Sequence, residues 1–541
     1  MAEVTRTVEE LGRYDTLVES TLARLDREKV VARMWQGDYR VWSDDPTEIE
    51  DRLGWLTIPE KMAGTASALS TFASQVQRAG FTNVVLLGMG GSSLGPEVIR
   101  RTLGSSPGFP QLRVLDSTLP AWIQATEAAI DPARTIFLVS SKSGTTIEST
   151  TLCSHFRQRV TDAVGEGPAG GNFVAITDPS TPLEALGKSE GFRQVFLNHP
   201  EIGGRYSVLS YFGMVPAALI GLDLADFLAR ASAMQASCSV AQAAANPGAR
   251  LGAIMGSMAL EGRDKLTLVT SPALAGFGLW VEQLLAESLG KSGKGIIPVA
   301  GEPELPPGQY SNDRLIVYLR LRGDDNAATD TLTESLSGKH PTVQLELCDR
   351  TDLGAEFYRW EFATAVAGHI LGVHPFDQPN VQGAKDKTDL VLEQFTATGR
   401  LPTIRTGEAM ESLLGKAEAG DYLAILAYLP DDEEVCRALA QLRLRLTEKL
   451  GIPTTTGFGP RYLHSTGQLH KGGPGSGIFL QLTADHPLEM PIPGRPYTFG
   501  TLADAQSAGD LQALQELGRR AARVHLGADP TAGIQRLTAS L

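Results

Sequence analysis

The chain has 541 residues, 42% of them hydrophobic and 20% charged. That is ordinary globular composition, too long for one core, and it predicts about three to four compact units. A formal net charge of −14 argues against a general nucleic-acid binder, although an acidic protein can still carry a locally positive pocket for an anionic metabolite.

The four cysteines, Cys153, Cys238, Cys348 and Cys436, are scattered without a CxxC pair. They imply neither a disulfide framework nor a zinc site and suit a reducing compartment. The N-terminus MAEVTRTVEELGRY has no apolar signal core, and no apolar run approaches a membrane span. The expectation is a cytoplasmic protein with neither membrane nor nucleic acid as partner.

In chain order, residues 1–60 read as a charged helical wrap anchored by Trp35, Trp42 and Trp55. A first α/β unit, 61–240, follows. The helical pattern Ala66–Ala79 leads to the strand Val84–Leu87, then to Gly88-Met89-Gly90-Gly91-Ser92-Ser93-Leu94-Gly95-Pro96. Strand, glycine turn and helix make a phosphate or sugar cradle by shape. It is not the dinucleotide fingerprint, since the sixth position from Gly88 is Ser93, and no Gly-Lys-Ser/Thr follows as in a P-loop.

The apolar run Thr135–Val139 then leads into Ser140-Ser141-Lys142-Ser143-Gly144-Thr145-Thr146-Ile147-Glu148. A helix cap needs one hydroxyl. Here Ser141, Ser143, Thr145 and Thr146 converge around Lys142 at a helix start, which is a site for a phosphate dianion. Strands at Leu112–Leu115, Phe173–Thr177 and Val195–Leu197 complete a doubly wound parallel sheet, whose ligands sit beyond the strand carboxyl ends. Arg205 stands on the turn Gly203-Gly204-Arg205-Tyr206-Ser207, and a helix over Met214–Leu222 closes the unit.

The second α/β unit, 241–395, has strands at Lys265–Thr270, Leu315–Leu319 and Val343–Leu347. Its helix Phe277–Leu289 puts Gln283 and Glu287 on one face. The helix Phe357–Leu371 runs into Phe376-Asp377-Gln378-Pro379-Asn380-Val381-Gln382-Gly383-Ala384-Lys385. The region 396–541 is an α/β extension. Residues 313–347 and 421–457 both read as strand, Asp-Asp, helix and strand, as two ordinary βαβ elements or a degenerate duplication. The Gly-rich segment 461–474, with His464, His470 and Lys471, reads as a loop. The strand Ile478–Leu482 and a terminal amphipathic helix, Leu511–His525, follow.

Five motifs, in this order, resemble the glucose-6-phosphate isomerase (phosphoglucose isomerase) family: GMGGSSLGP at 88–96, SKSGTTIES at 141–149, GGRYS at 203–207, QLLAESLGK at 283–291 and FDQPNVQGAK at 376–385. The resemblance covers most of 80–390 and implies two flavodoxin-like sugar-isomerase (SIS) domains. It implies interconversion of glucose 6-phosphate and fructose 6-phosphate, as in glycolysis and gluconeogenesis, by ring opening and enediolate proton transfer. No cofactor and no metal are implied.

It assigns the phosphate to Ser141, Lys142, Ser143 and Thr146, and the sugar border to Gly90, Gly91, Ser92 and Gln283. Glu287 is then the base, Arg205 stabilises the enediolate, and Lys385 opens the ring with a histidine. In the usual family that histidine precedes the FDQ segment and comes from the partner subunit. Here HKGGPGSGIFLQL matches its pattern but follows Lys385, so His470 is expected in the role, with His340 and His464 as alternatives. The extension resembles the isomerase half of fused transaldolase/glucose-6-phosphate isomerase proteins. A homodimer is possible, or a monomer if the histidine acts in cis. A broader phosphoglucose/phosphomannose specificity and a non-catalytic sugar-phosphate sensor stay open.

Overall fold

The computed structural model describes residues 6–402 and 406–541. The first strand, β1 (Arg6–Glu10), lies where a helical wrap was expected and pairs antiparallel with a strand more than 300 residues later. The tryptophans of the expected wrap do anchor it: Trp55 is fully buried, and the Trp42 indole donates to the Ala365 carbonyl at 2.8 Å.

Val84 to Leu87 are wholly buried, as in a central parallel strand covered on both faces. They belong to β2 (Asn83–Gly88), which is followed by β3 (Gln111–Leu115), β4 (Thr135–Ser140), β5 (Phe173–Thr177) and β6 (Gln194–Leu197). The parallel order is β3-β2-β4-β5-β6. The chain goes from β2 to one side and then returns to the other, so a crevice opens between the carboxyl ends of β2 and β4. There Gly88 pairs in register with Ser140. The glycine turn and the hydroxyl loop are thus neighbours, tied by the Ser140 hydroxyl donating to the Ser92 carbonyl at 3.1 Å.

The second sheet comprises β7 (Lys265–Thr270), β8 (Ile297–Ala300), β9 (Arg314–Leu321) and β10 (Thr342–Leu347), in the order β1-β10-β9-β7-β8. The third comprises β11 (Tyr422–Tyr428), β12 (Thr454–Phe458), β13 (Gly477–Thr483) and β14 (Arg520–His525), in the parallel order β12-β11-β13-β14. All three units therefore wind outward from their first strand in the same way. Residues 313–347 and 421–457 fill non-equivalent places: β9 and β10 are the third and fourth strands of their unit, β11 and β12 the first and second of theirs. They are two βαβ elements at different positions.

The tail also differs from the expected helix. A helix, Phe499–Glu516, is followed by strand β14, which pairs parallel with β13.

The helix Phe277–Leu289 lies between the second and third units. On one side Phe277 and Trp280 pack on Phe357 and Trp360 of the helix Leu353–Leu371. On the other, Ala286 and the strand residues Ile297 and Val299 meet Tyr422, Leu426, Tyr462, Leu469 and Phe479 of the extension. Polar contacts fix the dock: the buried Arg443 guanidinium donates to the carbonyls of Gly301 at 2.7 Å and Ala300 at 3.0 Å.

The helix Gln382–Thr398 crosses the expected boundary at 395 and packs against Phe499–Glu516. A Cβ on Gly509 would come within 2.8 Å of the Thr388 backbone nitrogen, so the absent side chain sets that approach. Among the described residues no helix is long and apolar enough to cross a membrane.

Candidate active site

The loop after β4 folds on its own hydroxyls. Ser141 Oγ lies 3.0 Å from Thr146 Oγ1 and accepts from the Gly144 N–H at 3.1 Å; Ser143 Oγ lies 2.9 Å from Thr145 Oγ1. Gly144 has φ +68°, which the turn needs and a side chain resists. Thr146 precedes the helix Ile147–Val164, yet its side chain caps none of that helix's first N–H groups. The first N–H groups of the helix are thus left without a cap from Thr146, and Ser143, Thr145 and Thr146 line the adjoining cleft, a setting suited to an anion. The Lys142 ammonium turns away from the loop and is held by Asp178 and, at 2.9 Å, by the Pro200 carbonyl. Only its main chain is left for a phosphate.

The glycines of the turn after β2 make room for two other segments. A Cβ on Gly91 would fall 1.9 Å from the Gly204 carbonyl oxygen, so only glycine lets this turn sit on the arginine turn. A Cβ on Gly90, at φ +54°, would meet the His464 carbonyl oxygen at 2.6 Å and Gln283 Nε2 at 2.8 Å.

Arg205 is buried. Its Nη1 lies 3.0 Å from Glu287 Oε1 and donates to Gln378 Oε1 at 2.9 Å; its Nη2 donates to the Asp377 carbonyl at 2.7 Å. Gln283, one turn before Glu287, donates from Nε2 to Glu287 Oε2 and to the His464 carbonyl, both at 2.9 Å. Lys291 binds the same FDQ segment through Asp377 Oδ1 at 2.6 Å. Burial, reinforced by the nearby Arg205, pushes its ammonium down to about 7.

Beside this cluster lies a cleft of about 920 Å³ walled by Ser143, Thr146, Glu148, Lys385, His464 and Gln506, among others. His464 joins the two regions: its carbonyl faces Gln283 and its ring faces the cleft. His464 Nε2 lies 2.8 Å from Glu148 Oε1. Burial alone would raise the Glu148 carboxyl, but the adjacent His464 ring more than offsets this, with Lys385 adding to it, and the group stays below its ordinary value. The loop carrying His464 is clamped by Arg461, whose Nε and Nη2 each donate to Asp116 at 2.8 Å.

His470, expected in the ring-opening role, lies in apolar surroundings. The segment 467–472 is a short helical turn and not an open loop, and His470 and Lys471 are buried. The His470 ring packs on Phe479 at 5.0 Å and Tyr462 at 6.0 Å between centroids, and its Nδ1 has no hydrogen-bond partner among the described residues. It does not line the cleft. His340 packs beside Tyr310 in the second unit, away from these residues.

Of two histidines six residues apart, the sequence pattern of a histidine before paired glycines and a strand singles out His470, which is buried, while His464 lines the cleft. Gln378, Gln506, Asp116 and Arg461 were missed, because each is defined by contacts between remote segments. The extension's own signal was the polarity of 461–471, which is too high for an ordinary core.

Burial, with the neighbouring Lys471 ammonium, drives the His470 imidazole down to about 3 from an ordinary 6.5. The unfolded chain then takes up this proton before the folded one does, so the contribution is intact above pH 6.5 and is lost as the pH falls toward 3. His470→Leu should flatten the fall in stability between pH 6.5 and 4. Urea midpoints at several pH values check this, and an unchanged slope contradicts it.

The model of the phosphoglucose isomerase family matches residues 65–295. The glucose-6-phosphate isomerase of Rubrobacter xylanophilus is 31% identical over 388 residues, covering 63% of this chain and 89% of that protein. That of a Cyanothece species is 32% identical over 370 residues, covering 63% and 66%. Among solved structures, a glucose-6-phosphate isomerase from Chlamydia trachomatis superposes with a TM-score of 0.63 at 20% identity, over 74% of this chain and 90% of that one. A hypothetical protein from Thermus thermophilus gives 0.61 at 23%, over 72% and 99%. These two likenesses speak for the fold; the first relative speaks for kinship over nearly its whole length. The chain belongs to the phosphoglucose isomerase family.

Proposed function

We infer that this protein is a glucose-6-phosphate isomerase, interconverting glucose 6-phosphate and fructose 6-phosphate. The observation that carries the reading is the meeting of Glu287, Arg205 and Gln283 with the His464 segment beside the hydroxyl loop. Moving a proton between C1 and C2 needs a carboxylate at one face of the sugar, a cation where the enediolate forms and an anchor for the phosphate.

In this reading Ser141, Ser143 and Thr146, with the loop N–H groups, hold the phosphate. His464 and Lys385 open the ring by acid–base transfer at the ring oxygen and the anomeric hydroxyl, with Glu148 orienting the imidazole. Glu287 carries the proton between the carbons. Arg205, 3.0 Å from it, stabilises the enediolate oxygen. Gly90 and Gly91 act by admitting the His464 and Arg205 segments, and Ser92 by joining the glycine turn to β4.

Glu287→Gln should lower fructose 6-phosphate turnover by about 10²–10⁴-fold while leaving sugar-phosphate binding in place. Turnover at the wild-type rate would remove Glu287 from the role of base.

We further propose that the site is complete within one chain, since the His464 loop reaches Glu148, Gln283 and Asp116 of its own chain. A homodimer is then compatible with activity but not required for it, and the partner that matters is the sugar phosphate. The extension supplies the histidine in cis, and its sequence resemblance to the isomerase half of fused transaldolase/glucose-6-phosphate isomerase proteins fits that use. Mixing His464→Gln with Glu287→Gln chains should restore no activity. A site shared across a two-fold interface would instead regain about a quarter of the wild-type sites.

A further inference from the structure

The function proposed above leaves one cleft residue without a part. Gln506 lies in the middle of the extension's helix Phe499–Glu516 and is 3% exposed. Its Nε2 donates to Glu148 Oε1 at 2.7 Å, and its Oε1 accepts from the Thr118 hydroxyl at 2.7 Å. A carboxylate only accepts, so the amide can be oriented one way alone, with nitrogen toward Glu148 and oxygen toward Thr118. Glu148 Oε1 also meets His464 Nε2 at 2.8 Å. A buried chain thus runs Thr118, Gln506, Glu148, His464. The segment 116–118 anchors both ends of the arrangement, since Asp116 holds Arg461, three residues before His464.

We propose that Gln506 is a positioning residue of the ring-opening pair, and that Thr118 fixes its amide. The inference rests on the isomerase reading. Gln506 withdraws charge from the Glu148 oxygen that faces the imidazole and keeps that carboxylate in one rotamer. Without the amide the Glu148 charge falls wholly on His464, which favours the imidazolium over the neutral ring. The other charged groups at the pair are few. Lys385 approaches from the helix Gln382–Thr398, and its charge already acts on Glu148. Glu287 is linked through Gln283 and the His464 main chain. Lys471 is neutralised by Asp510 at 2.5 Å, and Arg495, Asp389 and Glu393 lie on the cleft wall. None of these donates to the oxygen that Gln506 occupies.

The test is the pH profile of turnover for wild type and variants. It is read beside kcat and KM for fructose 6-phosphate. Gln506→Ala should move the acid limb of the turnover profile to higher pH and lower kcat by about tenfold, with KM held, because the phosphate loop is untouched. Thr118→Val should move both in the same direction by less, and it carries the test if Gln506→Ala does not fold. Folded variants with an unmoved pH profile and unmoved kcat would overturn the proposal. Absent wild-type turnover would instead overturn the isomerase reading, which the same assay registers separately.

Discussion

The site depends on a charge pair that crosses between units. Asp116, at the carboxyl end of β3, accepts two hydrogen bonds from Arg461 of the extension, and both side chains are buried, with Asp116 fully so. Two charges taken out of water are tolerated only with such paired geometry, and removing one partner of a buried pair typically costs about 3–5 kcal/mol. The pair therefore specifies one docked arrangement of the His464 loop. Arg461 also lies over the Trp122 ring at 5.0 Å, so its planar face is used as well as its edge. Ser93 donates to the same Asp116 carboxylate at 3.2 Å, which links the glycine turn to the clamp.

Around that clamp the small residues decide what can come together. Gly90, Gly91 and Gly204 form a seam with almost no side chain, through which the main chains at His464 and Arg205 approach. The helix Phe277–Leu289 is held between two units by aromatic and aliphatic contacts, so Glu287 projects from a wall that packing keeps still. Positioning by rigid elements is what proton transfer at carbon requires, since displacement by about 1 Å can cost 10²-fold in rate.

Much of this was legible in the sequence because it is local. Lys265–Thr270, Phe173–Thr177 and Phe277–Leu289 are found with the bounds their apolar patterns indicate. The density of hydroxyls in the loop 141–146 is visible in the sequence itself. What was not legible is non-local. Glu148 and His464 are 316 positions apart, and nothing in either segment names the other. His470 drew the catalytic expectation because the glycine pair and strand after it match the family's pattern, whereas Tyr462 and Phe479 enclose it from elements not adjacent to it in sequence. β1 and β14 were read as helix because short edge strands carry weak alternation, and their pairing comes from β10 and β13.

The account turns on which histidine opens the sugar ring. The most direct measurement is fructose 6-phosphate turnover by His464→Gln and His470→Gln in parallel, each verified as folded. The account predicts turnover lowered by about 10²–10⁴-fold in the first and kept near wild type in the second. The reverse order, with His464→Gln active and His470→Gln dead, would contradict it.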